Sequence, residues 1–273
     1  MQACEEYLNM LYQENINFFN KMLFNKLKYI KESSLSNSCI VFSPHPDDEV
    51  LGCGGFIFNK MKKNAEIKIV IITDGSKSHE KFISQKKLKR IRKIESINAL
   101  NKIGIDKNDI IYLDYEDGNL FQNEKLCTKR IIEIIDKYDP KELMIPHIKD
   151  FHMDHYITSK IVRNINTKIF SNNKIIYNYP IWLWNAWPWI NQAILDTKNF
   201  NNFQKSLISI STFFLDFKYK INIQDVIKHK LEALMEYKTQ ITKYNDISDW
   251  PTLYDIYNGD FLKCFFNGYE IFS

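Results

Sequence analysis

Cysteine pairs at short spacing are missing from this sequence. Its five cysteines (Cys4, Cys39, Cys53, Cys127 and Cys264) are odd in number and scattered, with no Cys-x-x-Cys. That excludes a disulfide framework and a cysteine-based zinc site, and makes a reducing compartment the default. Long apolar runs are lacking as well. The N-terminus carries Glu5 and Glu6 and offers apolar stretches of only about three residues, so no signal peptide is expected. No segment of ~20 apolar residues occurs that would span a membrane. The sequence therefore reads as soluble and cytoplasmic. Nor is there an excess of charge of one sign: 37 basic and 33 acidic residues leave a formal charge of +4. The densest basic patch, residues 86–93, has no interleaved aromatics and reads as a solvated helix face, so nucleic acid is not expected as a partner. Internal repeats and low-complexity tracts are absent too.

What is present is a chain of 273 residues, 45% hydrophobic, long enough to bury a full core. Residues 3–31 repeat apolar side chains at helical spacing and predict an amphipathic helix packed on the body, its polar face too mixed in charge for a membrane anchor. A polar linker follows at 32–37. The chain then alternates: strand 38–43 and helix 49–63, strand 67–73 and helix 80–103 stopped by Gly104, strand 110–114 and helix 123–138, strand 143–147 and helix 154–165. Four such units imply parallel strands with right-handed crossovers. The expected fold is α/β, a Rossmann-like, doubly wound, mostly parallel sheet with helices on both faces and an N-terminal helical extension. Beyond residue 166 the pattern is less regular, with strand candidates at 174–179 and 213–221 and a helix from 224 to about 242. No second-domain boundary stands out, so one domain is expected over 1–273, with its catalytic core at 38–165.

Two clusters carry chemistry. Ser43-Pro44-His45-Pro46-Asp47-Asp48-Glu49 lies where the first strand gives out, and His152-Met153-Asp154-His155 follows the fourth. Open sheets of this kind bind ligands beyond the carboxyl ends of their strands. An open zinc site wants about three protein ligands and one exchangeable water. His45 and Asp48, three apart across a strand end and a first helical turn, can converge on a cation, and His155 can supply the third ligand. Asp47 is then left beside the metal as a base for the attacking water. His152, one turn before His155, could stabilise an oxyanion if protonated, with Asp154 orienting its ring. The plain alternative for the second cluster is a capped helix start with Asp154 as N-cap.

These residues resemble the PIG-L/LmbE-like zinc N-deacetylases, a family that removes N-acetyl groups from N-acetylglucosamine-type sugars. Thr73-Asp74-Gly75, Arg92-Lys93-Ile94-Glu95 and Asp117-Gly118 are similar to further family motifs, and Tyr237-Lys238-Thr239-Gln240 loosely so. The resemblance implies zinc (ferrous iron being possible) held by His45, Asp48 and His155. It implies Asp47 as general base, His152 as electrostatic catalyst tuned by Asp154, and Arg92 and Asp117 as sugar contacts. The plain readings of the last two are a surface pair with Glu95 and a turn aspartate. The implied partner is a small molecule or glycan carrying an N-acetyl amino sugar, with a homo-oligomer left open. Two other functions stay open: a zinc esterase or amidase on a non-sugar substrate, and a binding protein that retains the fold. The segment holding Trp182, Trp184, Trp187 and Trp189 reads either as a stacking wall for substrate or as core or interface.

Overall fold

The computed structural model describes residues 19–187, 200–244 and 247–273. Its centre is a five-stranded, all-parallel sheet in the order β4-β3-β2-β5-β6. The strands are β2 (Cys39–Ser43), β3 (Ile67–Thr73), β4 (Ile110–Tyr115), β5 (Glu142–Pro146) and β6 (Ile175–Tyr179). In β2 and β5 every residue is buried, as runs such as Cys-Ile-Val-Phe require when both sheet faces are covered.

Alternation along each strand divides the apolar residues between two cores. Cys39, Val41, Ile69, Ile71 and Met144 face α2 (Asp48–Met61) and α3 (Gln85–Lys102). Ile40, Phe42, Val70, Ile72 and Ile145 face α4 (Glu124–Tyr138) and α5 (Met153–Lys168). Gly104, at φ +88°, follows α3, and left-handed Asp139 ends α4 before Pro140. From β2 the chain winds through β3 to β4 on one side, while β5 and β6 lie on the other. The winding direction therefore reverses between β2 and β5, which brings their carboxyl ends together at the switch point where such sheets bind ligands.

A second sheet, β1-β7-β8, joins β1 (Lys28–Tyr29), β7 (Tyr219–Asn222) and β8 (Tyr269–Phe272). It is tied to the main sheet where Asn178 and Ser273 exchange backbone hydrogen bonds.

The sequence expectations need four corrections. Of the helix expected at 3–31, residues 1–18 lie outside the described residues. Residues 19–26 are helical and form α1, but Lys28 and Ile30 donate to the Lys218 and Lys220 carbonyls, so the helix gives way to β1. The strand expected at 213–221 is mostly helix. In α7 (Phe200–Leu215) Ser206, Ser209 and Phe213 turn inward at helical spacing, and only Tyr219–Asn222 pairs as a strand. The helix expected at 224–242 breaks into α8 (Ile227–Leu234) and α9 (Lys238–Ile241), because Tyr237 between them is drawn inward to Glu49. The helix expected from residue 80 starts at Gln85, after a run of turns. Between β6 and α7 lies the short α6 (Trp182–Asn185), and α10 (Asp260–Lys263) precedes β8.

Candidate active site

The loop leaving β2 is held in an unusual conformation by buried polar groups. Thr73 donates to the Pro44 carbonyl through both its N–H (2.9 Å) and its hydroxyl (2.8 Å). Glu49, fully buried, accepts from the Ser43 hydroxyl (2.6 Å), the Asp47 N–H (3.2 Å) and the Tyr237 hydroxyl. Within this frame Asp47 sits at φ 131°, a region L-residues avoid, which aims its carboxylate into a cavity of 490 Å³.

Three donor atoms converge beside it. His45 Nδ1 lies 3.1 Å from Asp48 Oδ2, His155 Nε2 lies 3.1 Å from the same oxygen, and the two ring nitrogens are 3.2 Å apart. Zinc bonds of 2.0–2.1 Å in a tetrahedron give ligand separations of about 3.3–3.4 Å, so this triangle fits such an ion closely. The second nitrogen of each ring faces a carboxylate, as metal-binding histidines usually do. His155 Nδ1 is 2.7 Å from Asp150, and His45 Nε2 is 3.3 Å from both Asp117 and Asp154. A ring nitrogen of His152 comes within 4.8 Å of those of His45 and His155. The donor set can therefore hold a divalent metal ion.

The electrostatics of the group agree. Burial opposes ionisation of Asp48, yet His155 and His45 hold its carboxyl well below the usual range. Burial also disfavours charge on His155, but Asp48 and Asp150 push it up to about 9. So many acidic partners around two imidazoles make a pocket suited to positive charge.

Asp47 is not one of the converging ligands. Burial pushes its carboxyl up to about 8, while Arg92 works in the opposite direction. Arg92 is itself buried; it donates to Asp47 Oδ2 at 2.9 Å, to the Pro46 carbonyl and to the Gly75 carbonyl at 3.1 Å. It is not the surface partner of Glu95, which accepts the N–H and hydroxyl of Thr239 at 2.8 and 2.7 Å. Gly75 explains the Thr-Asp-Gly turn: its φ is +61°, and a Cβ there would lie 2.4 Å from the Arg92 guanidinium. Asp117 accepts the Lys77 N–H at 3.0 Å and lines the same cavity.

His152 caps α5, its Nδ1 accepting the Asp154 N–H at 3.2 Å. Burial and the neighbouring His45 and His155 push it down to about 4, so the imidazole is neutral at pH 7. The Asp154 side chain makes its hydrogen bonds elsewhere. Its carboxylate accepts from the Gly118 N–H (2.7 Å) and the Leu120 N–H (3.2 Å) and faces His45. Asp154 therefore acts on His152 through its charge, which pulls that imidazole upward, and not through a side-chain hydrogen bond, because the first turn of α5 aims residues 152 and 154 in different directions.

The opposite wall of the cavity comes from the C-terminal half. Trp182 stacks on Phe261 with ring centres 5.4 Å apart, and Ile256, Gln240 and His79 complete that side. The tryptophan segment thus divides. Trp182 lines the cavity, Trp184 and Trp187 are buried against Phe213, and Trp189 lies outside the described residues. Sequence reasoning missed Asp150, His79 and Phe261. For Asp150 a signal existed, an acidic residue shortly after β5 and two positions before His152.

Residues 40–166 match the family model described as PIG-L, GlcNAc-PI de-N-acetylase. Over that segment, a little under half of its length, the chain is similar to the PIG-L de-N-acetylases. A curated relative in Bacillus subtilis (strain 168), the probable N-acetyl-alpha-D-glucosaminyl L-malate deacetylase 2, is 32% identical over 106 residues. That match takes in 37% of this chain and about half (47%) of the relative. Among solved structures, the N,N'-diacetylchitobiose deacetylase from Pyrococcus horikoshii superposes with a TM-score of 0.63 at 21% identity, covering 98% of this chain and 91% of that one. A deacetylase of teicoplanin biosynthesis, in complex with teicoplanin, gives 0.53 at 12% identity, covering 73% and 86%. At these identities the structures speak for the fold. Every candidate residue from His45 to His155 falls inside the family match, whereas Trp182, Gln240, Ile256 and Phe261 lie beyond it.

Proposed function

We propose that this chain is a zinc-dependent N-deacetylase that hydrolyses the acetamide of an N-acetylglucosamine-type sugar. The observation that carries the reading is the three-atom triangle of His45, Asp48 and His155 with the carboxylate of Asp47, outside that triangle, in the same cavity. His45, Asp48 and His155 would hold the ion, and ferrous iron suits the same donors. A bound zinc ion supplies Lewis acidity, acidifying water and polarising a carbonyl.

The remaining work falls to the protein's own groups. Asp47 takes a proton from the attacking water and later delivers it to the departing amine. Arg92 keeps that carboxylate turned into the cavity. Because Nδ1 of His152 accepts the Asp154 N–H, the proton of the neutral ring sits on Nε2, free to donate to the developing oxyanion. Asp154 steadies His45, and Asp117, on the cavity wall, receives a sugar hydroxyl. The Bacillus relative's name, with its N-acetylglucosaminyl malate, and that of the chitobiose deacetylase both support an acetylated amino sugar as substrate. Among the described residues no helix is long and apolar enough to cross a membrane.

The test is acetate release from a panel of N-acetylated sugars, sugar esters and non-sugar amides, after chelation and after zinc or ferrous ion is restored. Metal-dependent release from N-acetyl sugars is expected. Turnover confined to esters or non-sugar amides, or none on any substrate, would overturn the assignment.

A further inference from the structure

Asp150 has no role in the mechanism above, yet it is among the most heavily engaged carboxylates of the molecule. It lies at the mouth of β5, buried, and makes contacts to two separate segments. Its Oδ2 is 2.7 Å from His155 Nδ1 and accepts the Trp182 N–H at 3.0 Å. Its Oδ1 accepts the N–H groups of Ile181 (3.2 Å) and Leu183 (2.7 Å). Three backbone N–H groups and one imidazole nitrogen, on two segments, thus converge on one side chain. An ionised carboxylate, which only accepts, satisfies all four. An asparagine cannot, because either orientation of its amide points N–H groups at two of the donors.

We propose that Asp150 is a positioning residue that couples the metal-binding face of the cavity to its aromatic wall. This rests on the metal-binding part of the function proposed above. By keeping the proton of His155 on Nδ1, Asp150 leaves Nε2 as the ligand atom facing Asp48 and His45. By gathering the backbone of residues 181–183, it fixes where Trp182 stands across the cavity. Loss of the charge therefore disturbs metal affinity and substrate binding together, although Asp150 touches neither ion nor sugar.

The experiment measures zinc affinity by titration calorimetry on the apo-protein and on Asp150→Asn, each checked for folding by circular dichroism. The expected result is zinc binding weakened about 10- to 100-fold, with KM for the acetylated sugar raised at saturating zinc. Folded Asp150→Asn that binds zinc within about twofold of the parent would overturn the proposal, since a merely structural role shifts the melting temperature and leaves affinity per folded molecule alone. Nitrogen-15 NMR of zinc-loaded parent protein provides a readout that needs no variant. Nδ1 of His155 should be protonated and Nε2 metal-bound, and the reverse pattern would sink the idea. A parent that binds no zinc removes the functional reading itself, which distinguishes the two failures.

Discussion

The guanidinium of Arg92 lies 2.9 Å from Asp47 Oδ2 and reaches there across the backbone of Gly75. Two motifs 45 residues apart are thereby joined into one device that presents a carboxylate to the cavity.

Replacing Asp47 by alanine should lower kcat by about 10²- to 10⁴-fold, the usual range for a general base, and leave zinc affinity nearly unchanged. Steady-state kinetics with calorimetry on the same preparation checks both. Full activity in Asp47→Ala would remove Asp47 from the mechanism.

The same residue allows a test of backbone strain. Asp47→Gly and Asp47→Ala both lose the carboxylate, but only glycine is at ease at φ 131°. Asp47→Gly should therefore be the more stable of the two by about 1 kcal/mol or more. Denaturant titration of the pair measures this, and equal stabilities would mean the loop relaxes once the Arg92 pair is gone.

Gly75→Ala places a methyl group within reach of the Arg92 guanidinium and forces φ +61° on an L-residue. A stability loss of about 1–3 kcal/mol is expected, together with a fall in kcat resembling that of Arg92→Met. Thermal melts and kinetics report the two effects separately.

The tryptophans should separate by role. Trp184 is 3% exposed, and Trp184→Ala should cost about 3–5 kcal/mol of stability. Trp182→Ala should cost less and act mainly on KM, because one side of that ring faces the cavity. A KM unchanged in Trp182→Ala would show that substrate does not rest on that wall.

His147 gives a pH dependence away from the metal group. Burial pushes its imidazole down to about 4 from 6.5, against the pull of Asp216 and Asp150. Between these values the unfolded chain binds a proton that the folded one refuses. Stability is thus full above pH 6.5 and falls as pH drops toward 4, by up to about 3 kcal/mol from this group. Unfolding free energies at pH 7 and 4.5 should differ less in His147→Asn than in the parent.

From residue 38 to 168 the order of strands and helices is legible in the sequence, because each parallel strand is a continuous apolar run and each helix an amphipathic one. The switch point follows from that order, and so does the meeting of His45, Asp48 and His155. The small sheet is not legible. Its strands of two to four residues owe their existence to pairing between segments nearly 200 residues apart. The run Phe213-Phe214-Leu215 imitates a strand, and the helical burial of Ser206 and Ser209 upstream decides the matter. The three backbone donors that Asp150 gathers lie 31 to 33 residues further along the chain, so no local pattern gives that half of its role.

Asp48 begins α2 on one side of the central sheet, and His155 rides the first turn of α5 on the other. Each donor is thus steered by a different oily layer, one containing Phe56 and Ile57, the other Ile161 and Val162. Thinning either layer deep inside the molecule would tilt one arm of the grip and leave its counterpart in place. Remote substitutions in the two layers should therefore detune ion binding independently, like two screws on one vice.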